Sequence, residues 1–391
     1  MRNWLWIAVA MLVAVPWLVL RFAGLHEPPY LVAALAGLAI LGAALLLSWA
    51  SEVAQLDISQ ALAVVILSLI AVLPEYSVDI YFAWRAGQDP SYGAFALANM
   101  TGANRMLIGI GWVAVVVVFW WRTRRPKVEL AEHESLEISV LSIATLYVFL
   151  IPLKGTLSIW DSVVLFALFG VYAYASSRQA PEEPDLVGPA AAVGSLSTGL
   201  RRLVTLGLFL FAAAAILISA EPFAEGLVST GRLLYIDEFV LVQWLAPFAS
   251  EAPEFIVAVL FALRGHPHLG LRTMVSSKVN QWTLLVGALP LAYALSAGQL
   301  LPLELDERQM HEVFLTAAQS AFAVVLLAGT GLTLRGAATL GVLFFVQLVF
   351  PETRLVMSII YLVLTVAILV FDRKRLVRLI RAPRKILSSA P

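Results

Sequence analysis

The chain has 391 residues, of which 61% are hydrophobic and 13% charged, and its net charge is zero. Soluble domains run at roughly 45–50% apolar and about 25% charged, so this composition excludes an ordinary soluble globule and indicates a polytopic membrane protein. Zero net charge gives no reason to expect a nucleic-acid partner, and the lack of any cysteine excludes disulfides and thiolate metal sites.

About twelve apolar stretches follow one another, near 3–22, 29–50, 57–85, 91–121, 136–152, 157–176, 200–220, 236–263, 269–297, 312–331, 333–350 and 353–371. A span of about 20 apolar residues crosses a hydrocarbon core of roughly 30 Å. The expected fold is therefore all-α, with about twelve transmembrane helices. The first stretch reads as a retained span, because no small-residue cleavage site follows it. An even number of spans puts both termini on one side. Most of the 26 basic residues fall on that side, among them Arg122, Arg124, Arg125, Lys127, Arg178, Arg201, Arg202 and the tail from Arg373 to Lys385. Basic loops stay inside, so both termini are expected in the cytoplasm and the protein in the plasma (inner) membrane. The tail segment "DRKRLVRLIRAPRK" reads as an amphipathic helix on anionic lipid.

The third span contains "AVLPEYSVDIYFAWRAGQDP", and the fourth continues "SYGAFALANMTGANRMLIGIGW". The eighth and ninth contain "SEAPEFIVAVLFALRGHPHLGLRTMVSSKVNQWTLLVGALP". Pro74-Glu75 matches Pro253-Glu254, and Arg85 and Pro90 roughly match Arg264 and Pro267. The number of spans from one copy to the other is odd, so the copies face opposite ways across the membrane. Inverted repeats with interrupted spans at matching places point to a transport site near the midplane. Proline removes a backbone donor and is expected to break each helix, exposing carbonyl oxygens. Such backbone is tolerated at membrane depth only where protein buries it or it lines a cavity. Carboxylates beside freed carbonyls make a hard-oxygen site that suits Ca²⁺, Na⁺ or a proton.

The repeat sets the expected organisation. Residues 1–28 form an extra N-terminal helix, 29–177 the first inverted five-helix repeat and 178–199 a cytoplasmic linker rich in Pro, Gly and acidic residues. Residues 200–350 form the second repeat, and 351–391 an extra helix with the basic tail.

A carboxylate in mid-membrane costs roughly 2.5–3.5 kcal/mol on insertion scales, so Glu75 and Glu254 in matching places imply function. Glu251 lies three residues before Glu254, where the two raise each other's proton affinity. It equally suits a counter-ion for Lys278. Lys278 has two readings as well: release of a proton when a cation arrives, or a fixed salt bridge to Glu251. Arg105 does not deprotonate and reads as a tie to a carboxylate or carbonyl. Asn99 and Asn104 offer neutral oxygens for a cation or for bonds between helices, and Thr101 does so less readily. His266 and His268 read as an ordinary solvated loop.

These motifs resemble the two α-repeats of the cation/Ca²⁺ exchanger superfamily, the sodium/calcium exchanger-like antiporters. The resemblance implies that Glu75 and Glu254 take a divalent ion at the centre. It implies that Ser250 and Ser277, with the carbonyls around Ala71 and Ala249, complete monovalent sites. Gln281 stands where the family often has Asp or Asn. There are departures: Ala71 and Val72 replace a hydroxyl pair, Leu107 replaces an Asn, Ala103 a Ser and Glu251 a Ser. Lys278 and Arg105 are unusual charges for the family.

The function expected is secondary antiport of Ca²⁺ or a related cation for Na⁺ or H⁺, by alternating access, with inorganic cations and the lipid bilayer as partners and no cofactor. The alternative is a Na⁺/H⁺ or other monovalent cation/proton antiporter. A membrane-embedded enzyme is the remote reading, since the sequence has no Gly-x-Ser-x-Gly, no His-Glu-x-x-His and no phosphate-cradling loop.

Overall fold

The structure is a computed structural model that describes residues 2–24, 27–58, 67–130, 135–178 and 186–388. It is almost entirely helical. Among the described residues nine helical stretches are long and apolar enough to cross a membrane. Seven of them are single helices: α1 (Arg2–Ala23), α2 (Pro29–Ala54), α9 (Ile159–Ser177), α11 (Thr198–Leu234), α12 (Glu238–Arg264), α15 (Glu307–Leu327) and α17 (Arg354–Phe371). An eighth is composite, made of α5 (Gly93–Met106), a π-helical turn at Leu107–Trp112 and α6 (Val113–Thr123). The ninth combines α7 (Ser135–Val148) with α8 (Leu150–Lys154).

Three of the twelve expected spans are not among the nine. The span at 57–85 falls partly outside the described residues, which resume before α3 (Ser68–Ala71) and α4 (Leu73–Ala86). The span at 269–297 is a path of α13 (Pro267–Asn280), a π turn at Gln281–Leu285 and α14 (Val286–Ala297). Its polar residues lower its hydropathy. The span at 333–350 is a shorter apolar helix, α16 (Leu334–Val349). Large side chains such as Leu12, Val19, Leu146, Leu153, Val363 and Val366 are exposed along the outer helices. Apolar surface in that quantity belongs against lipid.

Strands are a minor departure from the all-α expectation. Residues Lys127–Glu129 pair antiparallel with Gly331–Thr333, and Thr156–Leu157 with Leu303–Glu304. Each ribbon ties two loops at helix ends, where backbone groups need partners.

The chain forms two compact units, each drawing on both halves of the sequence: residues 1–82 with 176–254, and residues 83–175 with 255–391. In the first unit, α2 packs along α11 and α1. Small residues let the backbones approach, as is usual where no hydrophobic force joins helices in lipid. A Cβ on Gly42 would lie 2.5 Å from the Ala10 carbonyl oxygen, and one on Gly226 would lie 2.9 Å from the Ala33 nitrogen. Gly42→Ala is therefore expected to lower thermal stability by about 1–3 kcal/mol, because backbone cannot step aside as a side chain does. An unchanged melting temperature in detergent would contradict this contact. The described part of the 178–199 segment packs in the same unit. Helix α10 (Pro189–Gly194) lies against α1 and α2, and Asn3 Nδ2 donates to the Gly188 carbonyl at 2.9 Å. Arg201 grips Asp57 through two bonds of 2.8 and 2.9 Å, and Arg202 adds one of 2.9 Å, joining the loop after α2 to the start of α11.

In the second unit α15 is central, flanked by α5, α7 and α17. Its first turn carries a capping box, with Asp306 accepting from the Gln309 backbone at 2.7 Å. The basic tail forms α18 (Arg373–Ser388). Two of its arginines turn to protein rather than lipid. Arg375 donates to the Val325 and Leu326 carbonyls at 3.0 and 3.2 Å, and Arg378 to the Ala328 carbonyl at 2.7 Å. They satisfy the open carbonyls at the end of α15 and complement its dipole.

Candidate cation site

The first unit carries the carboxylates. Helix α3 ends at Ala71, Val72 leaves helical geometry, and α4 begins at Leu73. The first Pro-Glu pair therefore follows a real break, with Glu75 in the opening turn of α4. The second pair does not. Helix α12 runs unbroken from Glu238 to Arg264 through Pro247 and Pro253, so the expected break there is corrected to a continuous helix. Each proline still withholds one backbone bond. Pro253 has no N–H to offer the Ala249 carbonyl four residues back.

Glu75 is buried, and among the described residues neither of its oxygens has a hydrogen-bond partner. Among the described residues Glu254 and Asp79, both acidic, lie within electrostatic reach of it. Asp79 lies four residues on, one turn along the same face of α4, and is also buried. Glu251 is buried one turn before Glu254 on α12. Ser250 is buried with its hydroxyl donating to the Ala246 and Pro247 carbonyls at 3.3 and 3.2 Å, which leaves its lone pairs as acceptors. Tyr81, further along α4, donates to Glu225 of α11 at 2.6 Å. Concentrated, buried negative charge of this kind is stable only when a cation or protons neutralise it.

The second unit carries the polar partner helices. Helices α5 and α13 each run into a π turn, at Leu107–Trp112 and Gln281–Leu285. Such turns recur at functional sites and widen the helix where they occur. Between the two helices Lys278 Nζ donates to Asn104 Oδ1 at 2.6 Å and to the Asn104 carbonyl at 3.3 Å. The ammonium also lies 3.9 Å from the centre of the Trp282 ring. Lys278 and Asn104 are both fully buried. The Ser277 hydroxyl, next in sequence to Lys278, is buried with no hydrogen-bond partner among the described residues. Gln281 and Asn99 are buried on the same two partner-helix paths. The Thr101 hydroxyl is turned back to the Leu97 and Ala98 carbonyls at 2.7 and 3.2 Å.

Arg105 points to a different partner. Its Nη2 lies 2.5 Å from Glu312 Oε2 on α15, and Glu312 Oε1 takes Arg354 Nε at the start of α17. Gln319 Nε2 donates to the Arg105 carbonyl at 3.4 Å. Residues 104 and 105 thus send one turn of α5 two ways, to α13 and to α15.

The structure therefore puts the Ala249 backbone, Ser250, Glu251 and Glu254 on one stretch of α12, puts Glu75 of α4 within electrostatic reach of Glu254, and pairs Asn104 with Lys278. Three residues escaped the sequence reading. Asp79 was legible from its spacing of four from Glu75. Glu312 and Arg354 each stand at the start of an apolar run, and nothing in their spacing connects either with Arg105. No group of three or more His, Cys, Asp or Glu among the described residues meets the geometry of a resident metal site.

The model of the family described as sodium/calcium exchanger protein matches residues 28–178 and 204–380. The crystal structure of the H⁺/Ca²⁺ exchanger CAX is 44% identical, with 99% of each chain covered and a TM-score of 0.93. Native YfkE is 15% identical at a TM-score of 0.62, covering 92% of this chain and 99% of that one. The sodium-calcium exchanger NCX_Mj is 15% identical at 0.56, covering 82% of this chain and 99% of that one. Those two likenesses show the fold alone. No curated protein matches the chain. The match across both halves, on a helical membrane fold with a glutamate after each of two matching prolines, places the chain in the sodium/calcium exchanger family of integral membrane proteins.

Proposed function

We propose that the protein is a secondary antiporter that exchanges Ca²⁺ for H⁺ across the plasma (inner) membrane, with both termini cytoplasmic and no cofactor. The observation that carries this reading is Glu75: a buried carboxylate with no hydrogen-bond partner among the described residues, within reach of the charge of Glu254. Two neighbouring carboxylates lose their mutual repulsion either by binding one divalent ion or by taking up protons. One site that Ca²⁺ and H⁺ can each neutralise, but not together, is the chemical basis of exchange. Alternating access converts that competition into coupled movement. Protons rather than Na⁺ are favoured as counter-ion by the likeness to the H⁺/Ca²⁺ exchanger and by the departures from Na⁺-ligating residues at Ala71, Val72, Ala103 and Leu107. Glu251 and Ser250 supply further oxygens beside Glu254 in this reading, and Ser277, Gln281 and Asn99 offer oxygens on the partner helices.

Flux into proteoliposomes tests it. Ca²⁺ uptake is expected when a pH gradient is imposed, with proton movement in the opposite sense. A Na⁺ gradient alone at equal pH on both sides should drive little. Uptake that follows Na⁺ and ignores pH would replace H⁺ by Na⁺. Movement of monovalent cations alone would leave a cation/proton antiporter without Ca²⁺.

A further inference from the structure

We infer that the Lys278 ammonium is a built-in monovalent cation: it holds the Asn104 oxygens that a Na⁺ ion would need, and so makes exchange independent of Na⁺. The inference rests on the reading of the chain as a Ca²⁺ antiporter and adds the residue that sets its counter-ion.

Asn104 presents two hard oxygens, a side-chain amide and a backbone carbonyl, on a partner helix that ends in a π turn. Neutral oxygens of this type ligate alkali cations at membrane depth. Here both accept from one ammonium, at 2.6 and 3.3 Å. At those distances no second cation fits between nitrogen and oxygen, and a like charge nearby repels it. The Trp282 face beneath the ammonium, 3.9 Å away, is a surface that favours a positive charge and offers no lone pair to a metal ion. Burial adds the decisive point. A lysine tethered to a chain cannot leave with the transported ions, so it contributes charge to the site without contributing to flux. Arg105 cannot play this part, because Glu312 and the far side of α5 hold it. Ser277 and Gln281, on either side of Lys278 in sequence, remain as oxygen donors in the same region.

The test uses the full-length protein in proteoliposomes with radiolabelled Ca²⁺, and Lys278→Met and Lys278→Arg beside the wild type. Wild-type uptake driven by a pH gradient should be unaffected by added Na⁺. Lys278→Met, which keeps the chain length and removes the charge, should become sensitive to Na⁺, with the inhibition constant falling by about tenfold or more. Lys278→Arg keeps a cation and should stay insensitive. Lys278→Gln can still donate to Asn104 without charge and takes the place of Lys278→Met if that variant is not monodisperse in detergent. Na⁺ competition in the wild type would overturn the inference while leaving Ca²⁺ antiport intact. So would a folded, Ca²⁺-transporting Lys278→Met or Lys278→Gln that ignores Na⁺. Absence of Ca²⁺ flux in the wild type under every gradient would instead overturn the antiport reading itself.

Discussion

Replacing Glu75 or Glu254 by glutamine is expected to reduce Ca²⁺ flux on the order of a hundredfold, while each variant still inserts and elutes as the wild type does. The reason is electrostatic. Glutamine is nearly isosteric with glutamate but carries no charge, and a desolvated divalent ion needs the full charge of both carboxylates. Glu75 shows how the cost is divided. It is buried with no hydrogen-bond donor among the described residues, so its carboxylate is unfavourable in the resting protein. Neutralising it removes that cost, and Glu75→Gln should melt no lower than the wild type, even though transport is lost. Stability and activity thus separate, which a merely structural glutamate would not allow. Asp79→Asn, one turn away, should act more weakly, through the field at Glu75. Measurements of flux and melting temperature on the same preparations decide the matter. Near-normal Ca²⁺ flux in a folded Glu75→Gln or Glu254→Gln would remove both residues from the transport site.

Much of this was legible in the residues. Membrane class follows from 61% hydrophobic content, since no soluble fold has enough polar surface to cover that chain. The Pro-Glu pairs stood out because charge and helix breakers are both costly in lipid, and their coincidence twice in one chain is improbable without a reason. The details that were not legible depend on geometry that periodicity does not encode. Pro74 follows a break and Pro253 does not, although the local sequences match. One proline removes a single bond, and whether the helix parts or merely adjusts is set by packing around it. The π turns at Leu107 and Gln281 leave no sequence signature either, because a π turn inserts one residue without changing composition. The basic tail read as lipid-facing from its charge pattern, yet Arg375 and Arg378 serve the open carbonyls of α15, which only the fold brings within reach.

Glu312→Gln is expected to be the most destabilising single change in the second unit, by about 3–5 kcal/mol, because it breaks a buried ion cluster from its centre. Glu312 is an anion shared by Arg105 and Arg354, with Oε2 2.5 Å from Arg105 Nη2 and Oε1 on Arg354 Nε. A glutamine there leaves two guanidinium groups with no charge between them. The side chain of Arg354 is 19% exposed, at the start of α17, and can swing toward the membrane surface. The Arg105 side chain is 2% exposed in the middle of α5 and has no such exit. The order of cost should accordingly be Glu312→Gln largest, then a neutral residue at Arg105, then Arg354→Ala. The double variant Arg105→Met/Glu312→Leu should recover much of the loss, since hydrophobic replacements of a whole buried pair are often neutral. Thermal unfolding of the wild type, Arg105→Met, Glu312→Leu and the double variant in one detergent, read as a double-mutant cycle, measures the coupling. If the two single changes at Arg105 and Glu312 simply add, the 2.5 Å contact contributes nothing and α5 is held to α15 by packing alone. If they couple strongly, the anchor of α5 is electrostatic. The turn that presents Asn104 to Lys278 is then held from behind by the Arg105–Glu312–Arg354 cluster.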